Sequence, residues 1–228
     1  MSHRGQLPDW AVERGRGLND FPRLLPGRTA LVVIDMQLAF IGEGEVFGNA
    51  HARDIIAPVN ELAGAARAAG CPVIWTRQTV SDEPPLAMPA WQYDLNDPHV
   101  ARAVAALRAG TAAHALHPAM VVDPSDRVID KYRYGALMCP AQALPRTLTE
   151  LGVEMLVLAG TLTNVCVEST ARDANMAGWR VIVAGDACAA VTDAEHEAAL
   201  LNLRLNFADV RDVAGLVEMF ARPLSRSG

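Results

Sequence analysis

Residues 156–174, LVLAGTLTNVCVESTARDA, decide the fold class. Apolar residues 155–159 read as a buried strand, 160–164 as a tight turn, and Cys166 as the opening of an amphipathic helix reaching about residue 178. Strand–turn–helix is the repeating unit of parallel α/β sheets. A thiol at a helix N-terminus lies among unpaired backbone N–H groups, at the positive end of the helix dipole, which favours its thiolate. The position reads as a nucleophile, against the plainer alternative of a small buried residue that only packs.

Outward from this unit the alternation repeats. In TALVVIDMQLAF, residues 29–40, apolar residues 30–34 form a short strand and Asp35 follows at its C-terminal end. Ligands of open α/β sheets bind outside the carboxyl ends of the strands, so a partly dry carboxylate there suits a general base. In DRVIDKYRYGAL, residues 126–137, a short strand leads into Lys131. Further strands are expected at 71–76, 180–184 and near 210. Helices are expected at about 51–69, 98–109, 141–151, 193–205 and 213–220. Residues 78–97 carry Pro84, Pro85 and Pro89 and little periodicity, and read as a long loop or lid. The sum is a single-domain, doubly wound parallel α/β sheet of about six strands, with helices on both faces and right-handed crossovers.

Together, VVIDMQ, VIDKYRY and GTLTNVCVESTARDA resemble the isochorismatase-like cysteine hydrolases over about residues 28–212. The resemblance implies a Rossmann-like domain over 28–228; residues 1–27, with no core strand of their own, read as an irregular N-terminal arm whose Trp10 and Phe21 are expected to dock on the same or a neighbouring subunit. It implies a catalytic triad of Asp35, Lys131 and Cys166. It also implies an oxyanion hole from the backbone N–H groups of Leu162 and Cys166, with a cis peptide between Thr161 and Leu162. Commonly such proteins are homodimers or homotetramers.

Departures from the better-known branches narrow the activity. The metal-dependent nicotinamidases carry an Asp-x-His pair after the second strand, where this chain has TRQTV, residues 76–80. The pair Asp97 and His99 comes later, where Asp97 suits a cap for the helix begun by Pro98. His99, His114 and His117 are therefore read as structural or surface residues, and His196 lacks a zincin partner. No metal and no cofactor is expected. True isochorismatases lack the cysteine nucleophile. TNVCVEST is most similar to the ureidoacrylate and N-carbamoyl amide hydrolases. The resemblance thus implies a metal-independent amidohydrolase that cleaves a C–N bond of a small amide or ureido compound through a Cys166 thioester. The alternatives are a hydrolase of a streptothricin-type lactam and a catalytically idle binding member of the fold. A thiol redox protein would need a second cysteine beside Cys166, and TNVCVEST has none.

Other side chains have two readings each. Gln37 either hydrogen-bonds a substrate amide or caps its loop. Phe40, Trp91, Tyr93 and Tyr134 form an aromatic wall or belong to the core. Arg133 and Arg77 clamp a substrate carboxylate or make surface ion pairs. Cys139 and Cys188 are taken as structural thiols.

Composition agrees. The 228 residues are 51% hydrophobic and 20% charged, with a formal net charge of −6, a balance that argues against nucleic acid or anionic membrane as partner. The four cysteines have no CxxC spacing, which fits free thiols in a reducing cytoplasm. There is no bilayer-length apolar run and no apolar stretch behind the basic N-terminal residues, so neither a membrane span nor a secretory signal is expected.

Overall fold

In the computed structural model, residue 3, residues 7–25 and residues 27–222 are described. The parts of the arm at 1–2, 4–6 and 26, and the end of the domain at 223–228, lie outside the described residues.

The run TALVVI forms β1 (Thr29–Ile34), and every one of its residues is buried. Such a run is continuously apolar because both sheet faces are covered. Alternate residues face opposite sides: Leu31 and Val33 enter one core with Trp75, Val157 and Ile182, while Ala30, Val32 and Ile34 enter a second with Ile74, Leu158 and Val183. The short α1 (Asp9–Gly15) precedes β1, and α2 (Leu38–Ile41), α3 (Ala50–Asp54) and α4 (Ile56–Ala68) follow it. Next come β2 (Val73–Gln78), the 79–97 segment without a helix or strand, α5 (Pro98–Ala106) and β3 (Arg127–Lys131). The second half runs α6 (Ala143–Glu150), β4 (Met155–Thr161), a π-helical turn (Thr163–Val167), α7 (Glu168–Met176), β5 (Arg180–Ala189), α8 (Asp193–Asn206), β6 (Asp209–Arg211) and α9 (Val213–Ala221).

All five strand pairings are parallel, in the order β3-β2-β1-β4-β5-β6. The chain leaves β1 in one direction and returns to its other side at β4, so the topological switch point falls between these two strands. The sheet is the doubly wound one that the alternation predicts. Among the described residues, no helix is long and apolar enough to cross a membrane.

Several boundaries differ from expectation. The arm is not wholly irregular, since α1 forms within it and packs on α8. The helix expected over 51–69 is two helices meeting at Ile55. β5 extends to Ala189, five residues beyond expectation, and places Cys188 inside the strand rather than in a loop. The helix after Cys166 begins at Glu168, because the residues around Cys166 form the wider π-helical turn.

Candidate active site

Asp35 is the first residue beyond β1, with φ 51°. This left-handed conformation is one that aspartate tolerates better than most residues, and it ends the strand abruptly. Its Oδ1 accepts a 2.7 Å hydrogen bond from Thr76 Oγ1 on the neighbouring β2. Lys131, the last residue of β3, lies two strands away, about 9–10 Å at ordinary inter-strand spacing. A long side chain is needed to cross the end of β2, and Lys131 Nζ reaches Asp35 Oδ2 at 2.7 Å. Its other donors go to Gln78 Oε1 at 2.6 Å and the Arg133 carbonyl at 3.1 Å.

Gln78 Oε1 and the Arg133 carbonyl accept hydrogen bonds from the ammonium, and Asp35 Oδ2 faces it as an ion pair. The side chains of Lys131 and Asp35 are 1% and 0% exposed. Burial works against the ammonium, but the Asp35 carboxylate and the Cys166 sulfur outweigh it and raise the Lys131 pKa. Lys131 is the only lysine in the chain.

Cys166 approaches from the far side of the switch point. β4 ends at Thr161, the Thr161–Leu162 peptide is cis, and the π-helical turn then carries Cys166 into contact with both Asp35 and Lys131. Thr163 Oγ1 is tied to His196 Nδ1 at 2.9 Å, and Thr170 Oγ1 donates to the Cys166 carbonyl at 2.7 Å, which fix the turn from both ends. At Gly160, beside Ile34, any Cβ would collide with the Ile34 carbonyl, so β1 and β4 approach closely only because the residue is glycine. The thiol does not match the sequence expectation of a favoured thiolate. Burial pushes its pKa up to about 12, with Lys131 opposing and Asp35 adding to the rise. At neutral pH the buried thiol therefore keeps its proton, beside the Asp35–Lys131 ion pair.

The structure brings Asp35, Lys131, Cys166, Thr161 and Leu162 together and redistributes the remaining candidates. Gln37 is buried, and its amide is consumed internally: Nε2 donates to the carbonyls of Gln78 and His114, and Oε1 accepts from Gln78 N. It braces β1 against β2 and has no N–H left for substrate. Arg133 is likewise committed, to backbone carbonyls of residues 85–87 and of Tyr132. Arg77 pairs with Asp130 at 2.7 Å. Trp91, 85% exposed, forms no wall in the single chain. Phe40 packs on Phe47 and lines a cleft of about 460 Å³ with Leu162, Asn49, His51 and Val191. Tyr134 Oη lies 3.3 Å from Tyr93 Oη, and burial, with this hydrogen bond, raises the Tyr93 pKa. Cys139 is buried and its sulfur accepts from Tyr132 N.

Among the histidines, His99 lies on the exposed start of α5, where Asp97 caps it as expected. His114 is held by Thr79, and His117 Nδ1 accepts from Ala119 N. A further group among the described residues, His3, His51 and Asp193, brings potential ligand atoms within 4.8 Å of one another. His3 does not fit a metal there. Its Nε2 accepts from Ala190 N and its Nδ1 meets Asp193 at 2.5 Å, so a metal on Nδ1 would turn an Nε2–H against the Ala190 N–H.

Sequence reasoning missed Thr76, Gln78 and the Arg133 carbonyl as partners of the ion pair. TRQTV was read for the metal ligands it lacks; its period-two alternation places Thr76 and Gln78 on one face, which is the available signal.

Residues 29–215 match the isochorismatase domain family model. The ureidoacrylate amidohydrolase RutB of Methylobacterium radiotolerans is 32% identical over 215 residues, covering 87% of this chain and 81% of that protein. Its counterpart from Pseudomonas syringae pv. syringae is 31% identical over 238 residues, covering 94% and 93%. A crystal structure of a cysteine hydrolase from Pseudomonas syringae pv. phaseolicola aligns with a TM-score of 0.79 at 25% identity, covering 90% of this chain and 97% of that one. N-carbamoylsarcosine amidase from Thermoplasma acidophilum aligns at 0.65 and 24% identity, covering 82% and 96%, a likeness of fold.

Proposed function

This chain belongs to the isochorismatase family, and we propose that it hydrolyses a non-peptide C–N bond of a small amide or ureido compound through a thioester on Cys166. The observation that carries the reading is the buried Asp35–Lys131 pair at 2.7 Å with the Cys166 thiol against both. The amidohydrolase names of the relatives supply the bond class.

A thiol with a pKa near 12 is not a standing nucleophile at neutral pH. Its proton moves to Asp35 as sulfur attacks the substrate carbonyl carbon, and Lys131 stabilises the thiolate as it forms. The tetrahedral oxyanion is received by the backbone N–H groups of Leu162 and Cys166, a type of donor worth about 3–4 kcal/mol of barrier each. Collapse breaks the C–N bond, and Asp35 returns the proton to the leaving nitrogen. Water, deprotonated by Asp35, then cleaves the thioester, and the thiol recovers its proton. Metal and cofactor have no part in these steps, and the partner is a small-molecule amide.

The test is a screen of carboxamide and ureido compounds for ammonia release, followed by acid quench and mass spectrometry. The expected result is turnover and an acyl adduct on the peptide carrying Cys166, both lost in Cys166→Ala. Full turnover in Cys166→Ala would overturn the mechanism.

A further inference from the structure

Arg133 sits two residues beyond Lys131, half-buried, and its guanidinium faces carbonyls rather than a carboxylate. Nη1 donates to Leu86 O at 3.0 Å and Tyr132 O at 2.6 Å; Nη2 donates to Pro85 O at 3.2 Å and Ala87 O at 3.0 Å. Three consecutive lid residues are thus held by one side chain. The planar fork of arginine presents several donors in fixed directions, and a lysine could not span this set. The same residue's carbonyl accepts from Lys131 Nζ at 3.1 Å. One residue later, Tyr134 Oη meets Tyr93 Oη from the far end of the lid at 3.3 Å.

We propose that Arg133 is a positioning residue that bolts residues 85–87 onto the end of β3, so that the seated lid and the orientation of Lys131 are set by one backbone segment. When the lid lifts, the segment 132–134 loses its outer anchor, and the Arg133 carbonyl no longer faces the ammonium squarely. A lid so bolted shuts water from the acyl-transfer chemistry and completes the triad in the same movement. Arg133 then touches neither substrate nor reacting atoms, and a substrate carboxylate would reach its Nη atoms only by displacing their hydrogen bonds to the lid carbonyls. The catalytic half of this inference rests on the proposed function; the mechanical half does not.

The experiment pairs hydrogen exchange of residues 82–90 with steady-state kinetics on matched neutral and carboxylate-bearing substrates, for Arg133→Ala and Arg133→Lys. Expected for Arg133→Ala is at least tenfold faster exchange in 82–90 with parent-like exchange in β1 and β4. A tenfold or greater loss of kcat should accompany it, alike on neutral and anionic substrates, and Arg133→Lys should recover only part of both. Lid exchange within twofold of the parent overturns the proposal, as does a loss confined to carboxylate-bearing substrates. Should Arg133→Ala fail to fold, Arg133→Gln, which keeps an amide donor, gives the same two readouts. If the parent releases no ammonia from any substrate, the proposed function falls, while the exchange comparison still decides whether Arg133 holds the lid.

Discussion

Gln78 and Lys131 are direct register partners on β2 and β3, and Gln78 Oε1 accepts a 2.6 Å hydrogen bond from Lys131 Nζ. The amide oxygen is one of two hydrogen-bond acceptors, with the Arg133 carbonyl, for a buried ammonium, while the backbone carbonyl of Gln78 is itself held by Gln37. The strand ends are therefore laced together beneath the ion pair.

Gln78→Leu removes that acceptor and leaves a buried N–H of a charged group unmet, a cost of about 1–3 kcal/mol or more. The expected outcome is a urea midpoint lowered accordingly and a fall in kcat of at least tenfold. Parent-like values for both would show that the Gln78 acceptor is dispensable.

The fold was legible because its signal is redundant. Apolar runs such as 30–34 and 155–159 are too short for helices and too continuous for a half-exposed sheet, and helical periodicity returns between them. Asp35 and Cys166 were legible through their places beyond strand ends, whereas Lys131, a lysine after a strand, stood out only through the resemblance of the three motifs taken together. The thiol's ionisation was not: the helix-terminus argument is local, and burial, visible only once the chain is packed, outweighs it. Gln37 and Arg133 were misread for a related reason. A polar residue near a strand end is equally available to substrate or to neighbouring carbonyls, and only the tertiary partners decide. The π-helical turn has no sequence signal of its own, since TNVCVEST fits an ordinary helix start.

His196 gives the protein an acid limit. It is buried, its Nδ1 holds Thr163, and its ring stacks on His3, 4.1 Å between centroids. Burial, with the neighbouring His3 and His51 adding and Asp193 opposing, lowers its pKa to about 4. The unfolded chain therefore binds a proton between about pH 6.5 and 4 that the native state refuses. Stability is fully present above 6.5 and declines as pH falls toward 4, by up to about 3 kcal/mol from this residue. His196→Asn, which keeps a hydrogen-bonding atom near Thr163, should flatten the denaturation midpoint over that window. An unchanged slope would remove His196 from the account.

Activity should survive dialysis against EDTA. His3 has both ring nitrogens engaged by Ala190 and Asp193, and TRQTV contributes Thr76 and Gln78 to the ion pair rather than ligands to a metal. Loss on chelation with recovery on added zinc would contradict this, and His51 and Asp193 would be the first ligands to replace.

We propose a homodimer or homotetramer that covers the outer lid. Trp91, Leu95 and Met138 are 85%, 57% and 71% exposed, and Tyr134, bonded to Tyr93, links the lid to the segment bearing Met138. Large apolar side chains exposed on the same lid and the adjoining segment suit an interaction surface. Sedimentation should give a multiple of 24.4 kDa, and Trp91→Ser should shift the parent toward monomer at micromolar concentration. A parent that sediments as a monomer would sink the idea.

The Asp35–Lys131 pair can be observed directly, because selective ¹⁵N labelling of lysine in this chain reports one side chain. Burial favours the neutral amine, and the Asp35 carboxylate is the largest influence opposing it. In the parent, the Lys131 ammonium should therefore persist to a pH above the ordinary lysine value of about 10.4. In Asp35→Asn the burial penalty stands with much less opposition, so the ammonium should lose its proton at lower pH than in the parent. The same variant should lower the acylation rate by several powers of ten, since an amide cannot take the thiol proton. Adding Lys131→Ala to Asp35→Asn should cost much less than Lys131→Ala alone, as expected of groups that act as one unit. An unshifted lysine titration in Asp35→Asn, together with log-rate losses that simply sum in the double variant, would mean that the two groups work independently.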